Sequence, residues 1–582
     1  MAIIVFSFAG SAAYVAFDES EQIVGYDHDH LNKLLYLHDA IRQAEGTTDL
    51  ACYGTPYTLF YALSILSTRV FGMNAVGLMA VPFLGSALIL FFGFKLAKHL
   101  TGGSNAAGWL AASSLALTPV VVGLSRKYDH LTLLLGIFLA SVLYAARLRK
   151  EPTMKRAVGL AAWLILGFFT AHDTTTLLIF GFFAAVAVGL VLLEGLIKRT
   201  VPLRVLVLTC FLFIFSAGFV IHFQNAFWIT GRSVGYYADE WKRLETYYRN
   251  SGWRGVVNYG REMVVDTERF MTMFAASAEK NYSSDMDAFD REKGVPGTLP
   301  GYLLDMYYNS LRPIGTFLFL GLLVVFIIVN PSGASRLWAL VPIVGIGALS
   351  FVSKKNPWYI LEGLVLLPVF AGIAVAVISE KFPGKKSSLF VSLWLLALVA
   401  LYVQCSLFSP PRQTEVLRRM IDRPHSVCQP VTLFSPGSYR ERIKMFSARF
   451  DSIFPDRKDV RLGVVLDPGQ GMNFVPYLLR ASGKPIIFYL AALPDAPELG
   501  AGRDAVLFVP SESMSRITEI LKKENDFYNT YFAAAVSRTQ GHGYKGGPPS
   551  FQEAARRLAL WKSGNAVELG PMLRLFLPAH SK

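Results

Sequence analysis

The chain has 582 residues, 53% hydrophobic and only 17% charged, with a mean hydropathy of +0.40. Soluble domains carry about 25% charged residues, and apolar runs of membrane-spanning length recur through the first two thirds, so a soluble protein is excluded and a polytopic membrane protein is expected. The formal net charge of +14 does not call for nucleic acid, because Lys and Arg collect in the cytoplasmic loops of membrane proteins.

The first apolar segment, 1–17, is just long enough to span and lacks the basic n-region of a cleaved signal peptide. A retained first helix is expected. It runs into "AYVAFDESEQIVGYDHDH", where Asp18, Glu19, Glu21, Asp27 and Asp29 crowd together with His28 and His30. A solvated junction is one reading. The other is chemical: Asp18 and Glu19 abut the span, and partial burial moves a carboxylate pKa toward general-base range. His28 and His30 are weak metal-ligand candidates, as is His172 in a later turn; for "DHDH" a solvated stretch is the stronger reading.

Residues 57–72, "YTLFYALSILSTRVFG", are interrupted by Arg69. Too few apolar residues precede that charge to cross a ~30 Å hydrocarbon core. A helix lying in the membrane interface is expected. Further spans are expected at about 75–97, 105–124, 128–146, 157–171, 175–197, 203–223, 313–330, 336–352, 358–379 and 387–406. The basic sets Lys95/Lys98, Arg147–Arg156, Lys198–Arg204 and Lys381–Lys386 alternate with loops poor in charge, which places the basic sets in the cytoplasm. With 57–72 interfacial, the chain starts inside, crosses eleven times and ends outside. Loop 18–56 is then outside, in keeping with its having only Lys33 and Arg42 as basic residues. A spanning 57–72 would reverse that loop.

The outer turns carry Arg126 and Lys127 beside Asp129, His172 beside Asp173, and Lys354 and Lys355 beside Trp358 and Tyr359. Charges at the membrane edge mark function, although long cations at helix ends also snorkel. The large loop 224–312 contains "FWITGRSVGYYADEWKRLETYYRNSGWRGVVNYGREMV". Its Trp, Tyr and Arg suit the headgroup zone, and equally a site that grips a phosphate or stacks on a sugar. Past residue 407 the composition changes. "VRLGVVLD", "PIIFYL" and "DAVLFVP" read as short strands alternating with helical patterns at 472–482 and 511–524, a small α/β domain. "LDPGQGMN" after the first strand is a weak anion-binding signal. Cys210 and Cys405 lie in apolar runs and read as packing; Cys52 and Cys428 have no metal spacing.

These pieces resemble, in order, the GT-C superfamily of membrane glycosyltransferases, and within it the branch of the protein O-mannosyltransferases and the lipid A aminoarabinose transferase. A first helix ends in "DE" (Asp18, Glu19). "YGTPYTLFYAL" (53–63) is similar to the family's Pro-aromatic entry to an interfacial helix. "SRKYDHLTLL" (125–134) resembles its Arg-x-x-x-Asp turn. "KKNPWYILEGLVLLPVFAGIAVA" (354–376) resembles its Lys-x-Pro-x-Tyr segment. The resemblance implies an α-helical polytopic GT-C-like domain over 1–406 with about eleven transmembrane helices, followed by an extracytoplasmic α/β domain over 407–582. It implies transfer of a sugar from a polyprenyl-phosphate-linked donor to an acceptor hydroxyl, with inversion, on the outer face of the plasma or inner membrane.

By the same resemblance Asp18, with Glu19 beside it, is the catalytic carboxylate and Asp129 a second catalytic Asp. Lys355 lies near the lipid phosphate with Tyr359 as its neighbour; Lys354, Arg126 and Lys127 add cations there. The chain departs from the branch in three places. Ser20, Glu21 and Gln22 stand where the aminoarabinose transferases have an Arg-Tyr pair. Gly54 and Thr55 replace a Glu-Lys pair, and no His-Pro-Pro signature is present. The lost Glu and Lys are a metal-binding and a phosphate-binding residue, so no cofactor is assigned and a divalent metal stays open, as does the acceptor: glycan, lipid or protein. Two other classes compete. A lipid transporter or flippase would use midplane charges and internal repeats. An anchored sensor or assembly protein would leave the ordered outer motifs without a role.

Overall fold

The computed structural model describes residues 59–72, 75–126, 128–171, 174–198, 207–216, 245–255, 257–258, 306–329, 333–350, 357–382 and 384–407, five strands between 460 and 577, and isolated residues such as Ser7 and Tyr302. Asp18, Glu19, His28, His30, Lys127, His172, Lys354 and Lys355 lie outside the described residues. So do "LDPGQGMN" and the expected helices at 472–482 and 511–524.

The described helices are α1 (Leu59–Phe71), α2 (Ala75–Leu100), α3 (Asn105–Leu117), α4 (Pro119–Ser125), α5 (Leu131–Lys150), α6 (Met154–Thr170) and α7 (Thr174–Lys198). They continue with α8 (Val207–Ser216), α9 (245–255), α10 (Arg312–Val329), α11 (Leu340–Leu349), α12 (Leu361–Lys381) and α13 (Lys385–Leu407). Among them α2, α5, α7, α10, α12 and α13 are long and apolar enough to cross a membrane, and the α3–α4 pair adds a seventh candidate if counted as one span. The chain is a multi-pass membrane protein.

The expected single span 105–124 is broken: α3 and α4 meet at a bend of 62°. Pro119 has no N–H for the carbonyl one turn back, and the residue before a proline is pushed out of the helical region. Thr118 is accordingly extended, with ψ 131°, and its hydroxyl donates back to the Ser114 carbonyl at 2.6 Å. Pro119 then serves α4 as its first residue, where a missing N–H costs nothing. The expected span 128–146 begins later, at Leu131, because the Asp129 side chain receives the Leu131 N–H and ends the preceding turn.

α5 and α12 form the interior: 89% of each apolar window is buried, against 33% in α10 and 22% in α13. Small residues let the inner helices touch backbone to backbone. A Cβ added to Gly85 of α2 would fall 2.4 Å from the Leu133 nitrogen of α5, and one added to Gly372 of α12 would fall 2.4 Å from the Ala111 nitrogen of α3. Arg149 of α5 and Glu194 of α7 pair through Nη2 and Oε1 at 2.8 Å, both nearly buried. Cys210, expected as packing, is exposed. Its helix α8 also exposes Val207, Phe211 and Ile214, an outward apolar face.

The segment 57–72 forms α1, which is 13 residues long. α1 is joined to α2 by a buried bond in which the Ser67 hydroxyl donates to the Gly77 carbonyl at 2.7 Å. Ser67→Ala is expected to lower stability by about 1 kcal/mol, read as a lower thermal midpoint in detergent.

The last third contains a five-stranded mixed sheet in the order β2-β1-β3-β5-β4, with β1 Val460–Val464, β2 Ile486–Leu490, β3 Ala505–Pro510, β4 Asn565–Gly570 and β5 Leu573–Leu577. β1 pairs parallel with both β2 and β3, in registers Val460↔Ile486 and Arg461↔Ala505. β5 runs antiparallel to β3 and to β4. The three strands expected from sequence are the parallel ones. Parallel neighbours need crossover connections of a dozen residues or more, consistent with the α/β pattern.

Candidate functional site

The turn between α4 and α5 carries the densest set of buried polar side chains at any described helix junction. Arg126 ends α4, its N–H bonded to the Gly123 and Leu124 carbonyls. The residue is 7% exposed, and its guanidinium donates from Nη2 to the Tyr402 hydroxyl at 3.1 Å, with its carbon 5.8 Å from the centre of that ring. Tyr402 sits near the end of α13, so one side chain ties the turn to a helix 276 positions away.

Asp129 is 2% exposed. Its Oδ1 accepts the Leu131 N–H at 2.9 Å and faces His130 Nδ1 at 2.9 Å. A buried carboxylate is tolerated only when its charge is answered by such donors. The first contact satisfies one of the free N–H groups at the start of α5, and the two together fix the carboxylate's orientation. Above them, Phe60 of α1 packs against Tyr128 at 5.1 Å and His130 at 6.3 Å between ring centres. Tyr128 is buried, which holds its phenol well above the ordinary range and so neutral. Two of the sequence motifs, 53–63 and 125–134, thus converge.

A small cavity of about 10 Å³, room for one water, lies behind the turn and is lined by Ser7, Ser86 and Ser125 among apolar neighbours. Ser7 of the first segment also donates to the Ala116 carbonyl of α3 at 2.5 Å. Ser7 and the turn therefore share a wall.

Tyr359, half-buried, belongs to the one-turn helix Pro357–Ile360 that leads into α12, and α12 packs against α4 and α5. Of the residues picked from sequence, the structure describes Arg126, Asp129 and Tyr359.

Three further buried polar residues are not among the site candidates read from the sequence. Tyr402 looked like part of an apolar run. Arg312, at the start of α10, is 2% exposed and has φ +66°, the left-handed region that a non-glycine residue seldom occupies. It follows a π-turn, Met306–Ser310, and precedes Pro313. Such outliers persist only where the surroundings over-determine them. One turn further, Gly315 packs against Leu401, the neighbour of Tyr402. Both Arg126, through Tyr402, and α10, through Gly315, thus meet the same stretch of α13. The third residue, Glu362 in the first turn of α12, is 2% exposed, and its Oε2 has no hydrogen-bond partner among the described residues.

Tyr402→Phe keeps the ring over Arg126 and removes only its acceptor. A hydrogen bond to a charged group is worth about 1.5–3 kcal/mol. A loss of that size in thermal unfolding, with the helical signal intact, is the expected result.

No protein-family model matches the chain, and no characterised protein matches it in sequence. Solved structures do resemble it. The crystal structure of ArnT from Cupriavidus metallidurans bound to undecaprenyl phosphate superposes with a TM-score of 0.50 at 12% identity, covering 98% of this chain and 97% of that one. The apo state of the same ArnT gives 0.49 at 10% identity over 98% and 97%. The Archaeoglobus fulgidus oligosaccharyltransferase in complex with Zn and sulfate gives 0.38 at 11% identity, covering 89% of this chain and 69% of that one. The likeness to bound ArnT shows the fold alone: the chain shares the architecture of that protein.

Proposed function

We propose that this protein is a membrane glycosyltransferase that moves a sugar from a polyprenyl-phosphate-linked donor to an acceptor hydroxyl at the outer membrane face. The observation that carries this reading is the likeness, over 98% of the chain, to an ArnT structure that holds undecaprenyl phosphate. The convergence of Arg126, Asp129 and α1 at one turn adds to it. So does the position of the buried and part-buried ionisable residues among those described: Arg126, Asp129, His130, Arg149, Glu194, Arg312 and Glu362 lie at or near helix ends, whereas a transporter would place charges at midplane.

In the proposed reaction the acceptor oxygen bonds to the anomeric carbon as the bond from that carbon to the phosphate oxygen breaks. The acceptor proton passes to Asp18, with Glu19 beside it, and polyprenyl phosphate leaves with the electron pair. Attack opposite the leaving group inverts the anomeric centre. Lys355, Lys354, Arg126, Lys127 and Arg312 are the cations to balance the phosphate charge; fixed charge aimed at the leaving group lowers the barrier. Tyr359 borders that phosphate subsite. Asp129, held by its two donors, orients the donor sugar. In this arrangement α1 lies in the interface, the chain crosses eleven times, and residues 18–56 and 407–582 are outside.

The test is direct. Purified protein in nanodiscs is given a polyprenyl-phosphate donor with a radiolabelled sugar and an envelope extract as acceptor. Labelled sugar released from the lipid onto the extract, with free polyprenyl phosphate in equal amount, is expected. Intact donor carried between leaflets of sealed vesicles, with no bond cleaved, would instead make the protein a flippase.

A further inference from the structure

The segment 245–258, between α8 and α10, has no part in the proposed reaction, yet it carries a surface of defined chemistry. Tyr248 is 49% exposed, Trp253 75% and Val257 68%. The Tyr248 and Trp253 rings meet edge to face, 5.9 Å apart at 80°. In a regular helix residues five apart point about 140° away from each other. They meet here because the backbone turns left-handed at Gly252, φ +57°, a conformation open to glycine at no steric cost. A second glycine completes the fold: a Cβ at Gly255 would strike the Tyr247 carbonyl oxygen at 1.9 Å. "SGWRG" is thus a device that brings two aromatic rings together on the outside of the protein rather than in its core.

Polar neighbours complete the face. Arg249 is exposed and pairs with Glu245 at 2.5 Å one turn back. Arg254, also exposed, sits directly beside Trp253. The composition discriminates among occupants. A helix made for a protein groove presents Leu, Ile or Phe at helical spacing; among the described residues of this segment the one exposed aliphatic side chain is Val257. A helix made for the hydrocarbon core would exclude Arg249, Asn250 and Arg254. Trp, Tyr and Arg together are the set enriched where acyl chains give way to headgroups, with the arginine stem along the apolar side and its charge toward phosphate. The segment is tethered on both sides to helices of a membrane protein, so a bilayer surface is the partner within reach.

We propose that the Tyr248–Trp253–Arg254 face docks on the phospholipid headgroups of the surrounding bilayer, with Arg254 against lipid phosphate and the two rings at the level of the ester carbonyls. This holds whether or not the protein transfers a sugar.

The test uses the full chain in nanodiscs. Cys52, Cys210, Cys405 and Cys428 are replaced by Ser, and Asn250→Cys carries an environment-sensitive fluorophore, leaving the docking face intact. Strong quenching by a nitroxide on the phosphatidylcholine headgroup, with weak quenching by aqueous iodide, is expected. Adding phosphatidylglycerol should strengthen the lipid quenching. Arg254→Gln should lower the docked-to-undocked ratio about fivefold in anionic discs, the effect of one surface cation, and Trp253→Ser should raise iodide access in every lipid. Strong iodide quenching with no lipid quenching overturns the proposal. So does lipid quenching that neither substitution changes, because the segment would then be held there by something else. Iodide quenching relieved by a soluble oligosaccharide, without lipid quenching, also overturns it and identifies the rings as a sugar platform.

Discussion

Asp18→Asn is expected to reduce sugar transfer by about 10²–10⁴-fold, the usual worth of a positioned general base, with the protein still inserted and folded. The substitution keeps size and shape and removes only the ability to take a proton. It acts on the bond-forming step, so kcat should fall while the KM for the lipid donor changes little. The measurement is transfer of radiolabelled sugar by purified wild type and variant at matched protein, with the thermal midpoint as a check on folding. Activity equal to wild type would remove Asp18 from the reaction and leave only the architecture in common with the transferases.

The second large effect separates structure from chemistry at Asp129. Its Oδ1 takes the Leu131 N–H and the His130 Nδ1 contact. Asn offers a carbonyl oxygen at the same place, so Asp129→Asn should unfold within about 1 kcal/mol of wild type. Transfer should nevertheless drop if, as proposed, the negative charge orients the donor sugar. Asp129→Ala removes the cap and strands the two donors, a loss of roughly 2–5 kcal/mol. If Asn and Ala lower activity only in proportion to their loss of stability, Asp129 is a helix cap and nothing more. If Asn is stable and inactive, the carboxylate itself is required.

The apolar spans were legible in the sequence because long runs without charge have few structures open to them in a membrane. The break between α3 and α4 was written at Pro119, yet apolar residues continue on both sides of it, and hydropathy does not register a bend. β1, β2 and β3 showed as continuous apolar runs because parallel strands are covered on both faces. β4 and β5 escaped: "NAVELG" and "LRLFL" carry Glu568 and Arg574, which sit opposite each other across the pair, and a charged pair hides an alternating pattern. At the site, Asp129 and Arg126 were legible from a local turn motif. Tyr402 was not, because its partner is set by the packing of α13 on the bundle, and Arg312 was not, because a left-handed backbone leaves no mark in residue order when the residue is not glycine. Asp18 and Lys355 rest on motif resemblance alone.

The contacts at Gly85 and Gly372 have a mechanical consequence. Helices that touch through bare backbone have no side-chain layer to yield, so α2, α3, α5 and α12 form a stiff keel that cannot slide or part by small steps. α10 and α13, with most of their surface turned outward, carry no such lock. Movement between helices therefore falls to the periphery, and a bulky residue at Gly315, where Leu401 already presses close, would wedge α13 against α10 and oppose it.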